Sequence, residues 1–281
     1  MNGLRASCSA ALPSLRMPTS RNEEFRYTDL SALTKSTLAP PAAGAAVDAA
    51  LLQQLALEEA AGSRIVMVDG AYRADLSDTS GLPDGVYVGS VGGAGGAAAE
   101  QLGSLSNAAG GPFAVLNGAM AADALAVVVP TGTTVQAPIH MVYLSTSSSS
   151  SGDGPDAPRQ AAAPRLLLAA GADSHCYIVE EFVGGSGGGF TCAVAELVLG
   201  ADASVKHGYV EREAGPSVHI KATLVQQVGS VRWCRCGGYN SSAVLTRQAG
   251  LAVQGSSCGA RDPCPSPGTT HPAPARHTIA G

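Results

Sequence analysis

The chain has 281 residues, 45% of them hydrophobic, 14% charged and 4% aromatic, with a formal net charge of −5 and a pI of about 5.6. That length allows one large domain or two modest ones, with a core built from Val, Leu, Ala and Ile, side chains that suit stacked strands. It excludes the clustered Lys/Arg stripe of a nucleic-acid partner, and no apolar run approaches the ~18–20 residues that span a bilayer.

Residues 1–17 carry Arg5 and Arg16, several Ser and Ala, and no acid. This composition suits either an ordinary N-terminal tail or the remnant of an organelle transit peptide. Residues 18–62 read as a helical N-terminal region. Ser31 or Thr28 is placed to cap a short helix, and Val47–Glu59 is an apolar-periodic run set off by Pro40-Pro41. Residues 63–112 form an α/β lead-in. Strands are predicted at Arg64–Val68, ending in the Asp69-Gly70 turn, and at Gly85–Val91, with a helix around Ala97–Leu105.

Residues 113–255 change character. Strand-like runs succeed one another at Ala124–Val129, Ile139–Leu144, Arg165–Leu168, Cys176–Glu181, Thr191–Leu199, Ser204–Val210, Val218–Val225 and Val231–Cys236. Gly171, Gly200 and Gly229 sit in turns 29 residues apart (200−171 and 229−200). Equal spacing of a strand–turn–strand unit predicts a solenoid coil, because each coil brings the chain back to one edge. A β-sandwich is the rival architecture. Residues 145–164, with a serine run and Gly152-Asp153-Gly154-Pro155, read as a disordered insertion. Residues 256–281, rich in Pro, read as a disordered tail.

The segment Pro18-Thr-Ser-Arg-Asn-Glu-Glu-Phe-Arg-Tyr-Thr-Asp-Leu30 resembles the N-terminal signature of SufD proteins, in the SufB/SufD family. Matches in the family's order follow: Arg64–Gly70, Leu82–Val86, Pro112–Gly118, Val129–Gly132, Gln136–His140, Glu180–Gly184, Glu196–Ala203 and, loosely, Ala243–Arg247. The resemblance covers about Leu12 to Gly255. It implies a mainly β fold: a right-handed parallel β-helix, the SufBD core, preceded by a small helical region. It further implies a non-catalytic scaffold role in iron–sulfur cluster assembly, beside a SufB-like subunit and a SufC-like ATPase, in the chloroplast stroma or, in a prokaryote, the cytoplasm. Residues 256–281 match neither the family's continuing β-helix nor the helical segment that docks the ATPase. The chain is therefore expected to be C-terminally truncated relative to the family, with ATPase binding in doubt. A β-solenoid enzyme of the lyase or acyltransferase type, or a truncated non-functional relative, is the alternative.

Individual residues add no chemistry at this level, and the sequence assigns no catalytic, cofactor-binding or metal-binding residue. The seven cysteines are Cys8, Cys176, Cys192, Cys234, Cys236, Cys258 and Cys264. Their odd number, without a secretory signal, fits a reducing compartment. Cys234 and Cys236 with Cys258 and Cys264 lack the Cys-x₂-Cys spacing that favours tetrahedral zinc. His175 and Cys176 are adjacent on a strand and should point to opposite faces. Cys192 reads as a small buried hydrophobe. His140, His207 and His219 read as ladder or core histidines, and Glu180, Glu181, Glu211 and Glu213 as a solvated face or an interface. Arg21, Glu23 and Glu24 are expected to cap and pair around the first helix. The glycine clusters Gly92–Gly96 and Gly184–Gly189 lack Gly-Lys-Ser/Thr and read as spacers.

Overall fold

The structure, a computed structural model, describes residues 1–41, 46–146, 158–184, 187–213, 217–239 and 244–253. The tail assigned to 256–281, and with it Cys258 and Cys264, lies outside the described residues, as does most of the insertion.

Helix α1 (Asn2–Ala11) occupies the segment whose composition suggested a tail. It buries Cys8, and the Arg5 guanidinium donates to the carbonyls of Ala121 and Ala122 at 2.8–3.2 Å. Those carbonyls lie just past the C-terminus of the helix Gly111–Met120, the end of a helix that favours a cation. Helix α2 (Ser31–Thr34) begins after Leu30. The Asp29 carboxylate accepts from the Ser31 N–H at 2.8 Å, so Asp29, an acid the sequence reading passed over, sets this turn; the Glu24 side chain lies outside the described residues. After β1 (Leu38–Ala39), α3 (Ala49–Gln54) starts where the Asp48 side chain accepts from Ala50 N–H.

Strands β2 (Arg64–Val68) and β3 (Ala71–Tyr72) form an antiparallel hairpin. Its two-residue turn has Asp69 at φ 50° and Gly70 at φ 83°, the left-handed pair such a hairpin demands. Strand β4 (Tyr87–Ser90) is followed by α4 (Gly96–Ala99), α5 (Ser104–Ala109) and α6 (Gly111–Met120). Helix α6 occupies the first residues of the span expected to be all strand. Pro112 lies in its first turn, where a missing N–H costs nothing.

From Leu125 onward the chain is strands: β5 (Leu125–Val129), β6 (Ile139–Ser145), β7 (Arg159–Ala162), β8 (Arg165–Ala170), β9 (His175–Gly184), β10 (Phe190–Leu199), β11 (Ser204–Glu213), β12 (Val218–Val228), β13 (Arg232–Tyr239) and β14 (Val244–Val253). Strand β7 lies inside the span read as a disordered insertion and pairs with β1 and β10. Alternate strands go to two sheets. One holds β5, β8, β10, β12 and β14, with β1, β4 and β7; the other holds β2, β3, β6, β9, β11 and β13.

Apart from β2–β3 and β4–β5 every named pairing is parallel. Val194 pairs with Arg165, and Ser204 with His175 and with Arg232, giving repeats of 29, 29 and 28 residues (194−165, 204−175, 232−204). Two sheets face each other, as in the rival sandwich, but successive strands alternate between them and pair in parallel within each, so the sheet curls on itself. The fold is mainly β, with a core of Val, Leu, Ile and Ala between the sheets.

The corners explain the recurring glycines. A Cβ on Gly171 would lie 2.5 Å from the Thr131 nitrogen, and one on Gly200 2.7 Å from that of Ala172. At these two positions glycine is required because the preceding corner is stacked against it, while the third, Gly229, is itself left-handed (φ 74°). The left-handed residues at the Gly171 and Gly200 corners are Asp173 (φ 54°) and Asp202 (φ 57°). Their N–H groups donate to the carbonyls of Ala201 and Ser230 in the following coil.

Candidate functional site

Alternation along the strands decides which side chains enter the space between the sheets. On β9 Cys176, Ile178 and Phe182 pack into the central core, so Glu180 shares their face. On β11 the inward set runs through Val205, His207, Tyr209, Glu211 and Glu213; on β12 it is His219, Lys221, Thr223 and Val225. The acids expected on a solvated face or an interface are instead buried within the chain: Glu180 is 1%, Glu181 3%, Glu211 1% and Glu213 5% exposed.

The lumen holds two polar groups. In the first, Glu180 Oε1 accepts from Lys221 Nζ and from His207 Nε2, each at 2.6 Å. Lys221 is fully buried, its ammonium 5.3 Å and 5.4 Å from the ring centroids of Phe182 and Tyr209. Burial pushes the Glu180 carboxyl up, but the Lys221 charge and the His207 hydrogen bond outweigh it and hold its pKa below the usual carboxylate range. Tyr143, buried on β6 opposite Phe182, has its phenol pushed well above its ordinary pKa by burial and by the Glu180 carboxylate.

In the second group the Glu213 carboxylate accepts from His219 Nδ1 at 3.2 Å and from the Thr191 hydroxyl at 2.5 Å. With Nδ1–H donating, the neutral His219 ring accepts the Tyr209 hydroxyl at Nε2, 2.7 Å away. Carboxylate, imidazole and phenol thus form one hydrogen-bonded line. The rings of Tyr143, Phe182, Tyr209 and His219 pack along it at centroid distances of 4.5–6.0 Å.

Two further polar groups lie on the outer faces. His140 Nε2 donates to Glu181 at 2.8 Å, and Glu181 also pairs with the exposed Arg212 at 2.7 Å. Arg165 and Glu196 form a fully buried ion pair. Glu196 accepts from the Gly103 and Leu105 N–H groups and the Ser106 hydroxyl, seating the start of α5 on the sheet. Arg165 also donates to Asn117 Oδ1, while the Asn117 amide donates to the carbonyls of Pro164 and Cys192 and seats α6.

The other residues weighed from sequence fall out as follows. His175 is exposed and Cys176 buried on opposite faces, the Cys176 thiol pushed up to about 12 by burial. Cys192 is fully buried with its thiol donating to the Phe113 carbonyl, and its pKa too is pushed up to about 12 by burial. Cys234 and Cys236 take register positions on β13 opposite Lys206 and Gly208; their side chains lie outside the described residues. Among the described residues no cluster of three or more His, Cys, Asp or Glu is arranged to hold a metal. Sequence reasoning missed the pairing of His140, His207 and His219 with buried carboxylates. The available signal was parity, since Glu180 stands two residues from both Ile178 and Phe182.

Residues 1–141 match the family model described as SufBD protein N-terminal region, and residues 151–259 match the SUF system FeS cluster assembly, SufBD core domain. The chain belongs to the SufB/SufD family. Among curated relatives it is 32% identical over 230 residues to Protein ABCI7, chloroplastic, of Arabidopsis thaliana, covering 80% of this chain and 47% of that protein. It is 30% identical over 258 residues to the iron-sulfur cluster assembly SufBD family protein slr0076 of Synechocystis, covering 86% and 54%. The chain spans about half the length of these relatives. Among the described residues no helix is long and apolar enough to cross a membrane.

Proposed function

We propose that this SufB/SufD family chain is a non-catalytic scaffold subunit of a SUF-type iron–sulfur assembly complex, working in the plastid. In this reading the stacked coils form a right-handed parallel β-helix of the SufD type, whose flank pairs with a SufB-like subunit while a SufC-like ATPase supplies the mechanical work. The hand follows the general rule that parallel crossovers are right-handed. The observation that carries the reading is the ordered run of both family models along one chain, together with relatives named for a chloroplast protein and for cluster assembly. The disposition of the acids and bases supports it, because inside the coil they bond chiefly to one another. Strand pairing and apolar packing over a standard interface of about 1,200–2,000 Å² would supply the binding energy.

Co-expression with a SufB-like subunit and a SufC-like ATPase from a plastid system tests this. The expected result is co-elution with the SufB-like subunit and no ATP hydrolysis by the isolated chain. Intrinsic ATPase activity, or failure to pair with the SufB-like subunit, would overturn it.

A further inference from the structure

Tyr27 is the most exposed large hydrophobic side chain among the described residues, 92% accessible, yet the segment that carries it is firmly held. Phe25 is buried against Phe113, their ring centroids 5.7 Å apart, and Leu30 and Leu33 are buried in the same cluster. Between these anchors the Thr28 N–H donates to the Phe25 carbonyl at 3.0 Å, and Asp29 accepts from the Ser31 N–H. A ring left in water adds nothing to the fold. A pinned loop that presents one is preorganised for a contact outside the chain.

Tyr27 also lines a cleft of about 500 Å³, together with the buried Pro18 and Leu30 and the exposed Thr19 and Arg26. The Thr19 side is fixed as well, because the Asn22 side-chain oxygen accepts from the Thr19 N–H at 2.9 Å. The Arg26 guanidinium stands 5.6 Å from the Tyr27 ring centroid. Among the described residues neither Arg26 nor its neighbours in sequence Arg21 and Lys35 makes an ion pair. Residues 16–35 carry four basic side chains and three acidic ones, 4 − 3 = +1, in a chain of net charge −5. The stretch is therefore locally positive and its cations are unspent.

We propose that Tyr27, Arg26 and this cleft dock an acidic segment of another subunit of the assembly complex. An apolar side chain of that segment packs on Pro18 and Leu30, and one of its carboxylates pairs with Arg26. Charge complementarity selects an acidic occupant. A protein segment fits better than a small molecule, whose sites enclose most of the ligand, because here the cation and the aromatic ring both stand in water. Exposed Tyr and Arg are also the side chains that most often carry the energy of protein interfaces. The inference rests on the scaffold reading above and adds to it a second contact, on the N-terminal region rather than on the flank of the coils.

Photocrosslinking in the purified complex tests it. The full chain, with p-benzoylphenylalanine in place of Tyr27, is co-expressed with the SufB-like subunit and the SufC-like ATPase, purified, irradiated and mapped by mass spectrometry. A crosslink from position 27 to an acid-rich segment of one of these two subunits is expected. Adding Arg26→Glu should lower its yield at least tenfold, and raising the salt should lower it too, since exposed charges are screened. Both side chains are exposed, so thermal midpoints are expected to stay within a few degrees of wild type. A complex that co-purifies but shows no crosslink, or one only to a second copy of this chain, overturns the docking surface and leaves the scaffold reading standing. A wild-type chain that joins no complex sinks both. Should the substituted chain fail to assemble, the affinities of Tyr27→Ala and Arg26→Glu for the co-expressed partners decide: each is expected to fall at least tenfold, and unchanged affinity in both counts against the proposal.

Discussion

The Glu180 carboxylate is shared by two donors drawn from two strands, the Lys221 ammonium and the His207 ring. Its neutral form would leave the Lys221 ammonium, wholly shielded from water, with only ring faces and whatever else reaches it. Removing one partner of such a pair costs about 3–5 kcal/mol, because the survivor remains a buried charge. Glu180→Gln and Lys221→Met are each expected to lower unfolding stability by that amount. The double variant should lose less than their sum, since it strands neither charge; a double-mutant cycle in urea measures the coupling, and simple additivity would mean that the pair is not coupled. The pH dependence follows from the depressed native pKa of Glu180. A group lowered on folding contributes its full stabilisation above its unfolded value, about 4.3, and loses it as the pH falls below that toward the native value. Urea midpoints of wild type and Glu180→Gln are therefore expected to converge as the pH is lowered from 6 through 3.

Elements are held to one another by corners and by buried polar anchors. At the corners a methyl on Gly200 has nowhere to go, because the backbone of Ala172 lies 2.7 Å away. Gly200→Ala is expected to cost about 1–3 kcal/mol from forced backbone movement, read as a lower urea midpoint, whereas Gly132→Ala is strained only by its left-handed φ of 71° and meets no atom. The α6 anchor is a polar counterpart. Asn117→Ala removes one hydrogen bond each from the buried Pro164 and Cys192 carbonyls and from the Arg165 guanidinium; since Pro164 keeps the Val194 N–H and Arg165 keeps Glu196, a total loss of about 1–3 kcal/mol is expected, read as a lower urea midpoint.

These elements also mark what the sequence could say. Most strands from Arg64 to Val228 were legible because β-branched runs punctuated by glycine report both strand and turn, and the 29-residue spacing reports the repeat; β3 and β7 were not, β7 because its Arg-Gln-Ala-Ala lies beside a serine- and glycine-rich run. Helix α6 was not, because its Gly-Pro start reads as a breaker until the proline is placed in a first turn. Nor were the acids: Glu180 and Glu181 look alike in sequence, and only knowing which parity faces the lumen separates a core acid from one on the outer face.

Across the whole molecule the lumen changes character along the stack. The inward residues of β5, β6 and β8 in the central core, among them Leu125, Val127, Ile139, Met141, Tyr143, Leu166 and Leu168, are apolar apart from one phenol. Coil by coil the charge then rises, with Glu180 on β9, His207, Glu211 and Glu213 on β11, and His219 and Lys221 on β12. Apolar burial is indifferent to pH, while the charged coils depend on carboxylates staying ionised, so acid acts on one end of the stack before the other. Each coil touches chiefly its neighbours, which lets a weakened end open while the rest persists. Amide hydrogen exchange followed by mass spectrometry at pH 7, 4 and 3 is expected to show protection falling first across β11 and β12, with β5, which carries no charged side chain, keeping its protection to lower pH. A uniform loss along the stack would mean that the coils unfold as one unit and that the buried charges do not set where the molecule opens. Replacing Lys221 and Glu180 together by Met should narrow the gap between the two ends, since the shared ion pair no longer titrates in the second half of the stack.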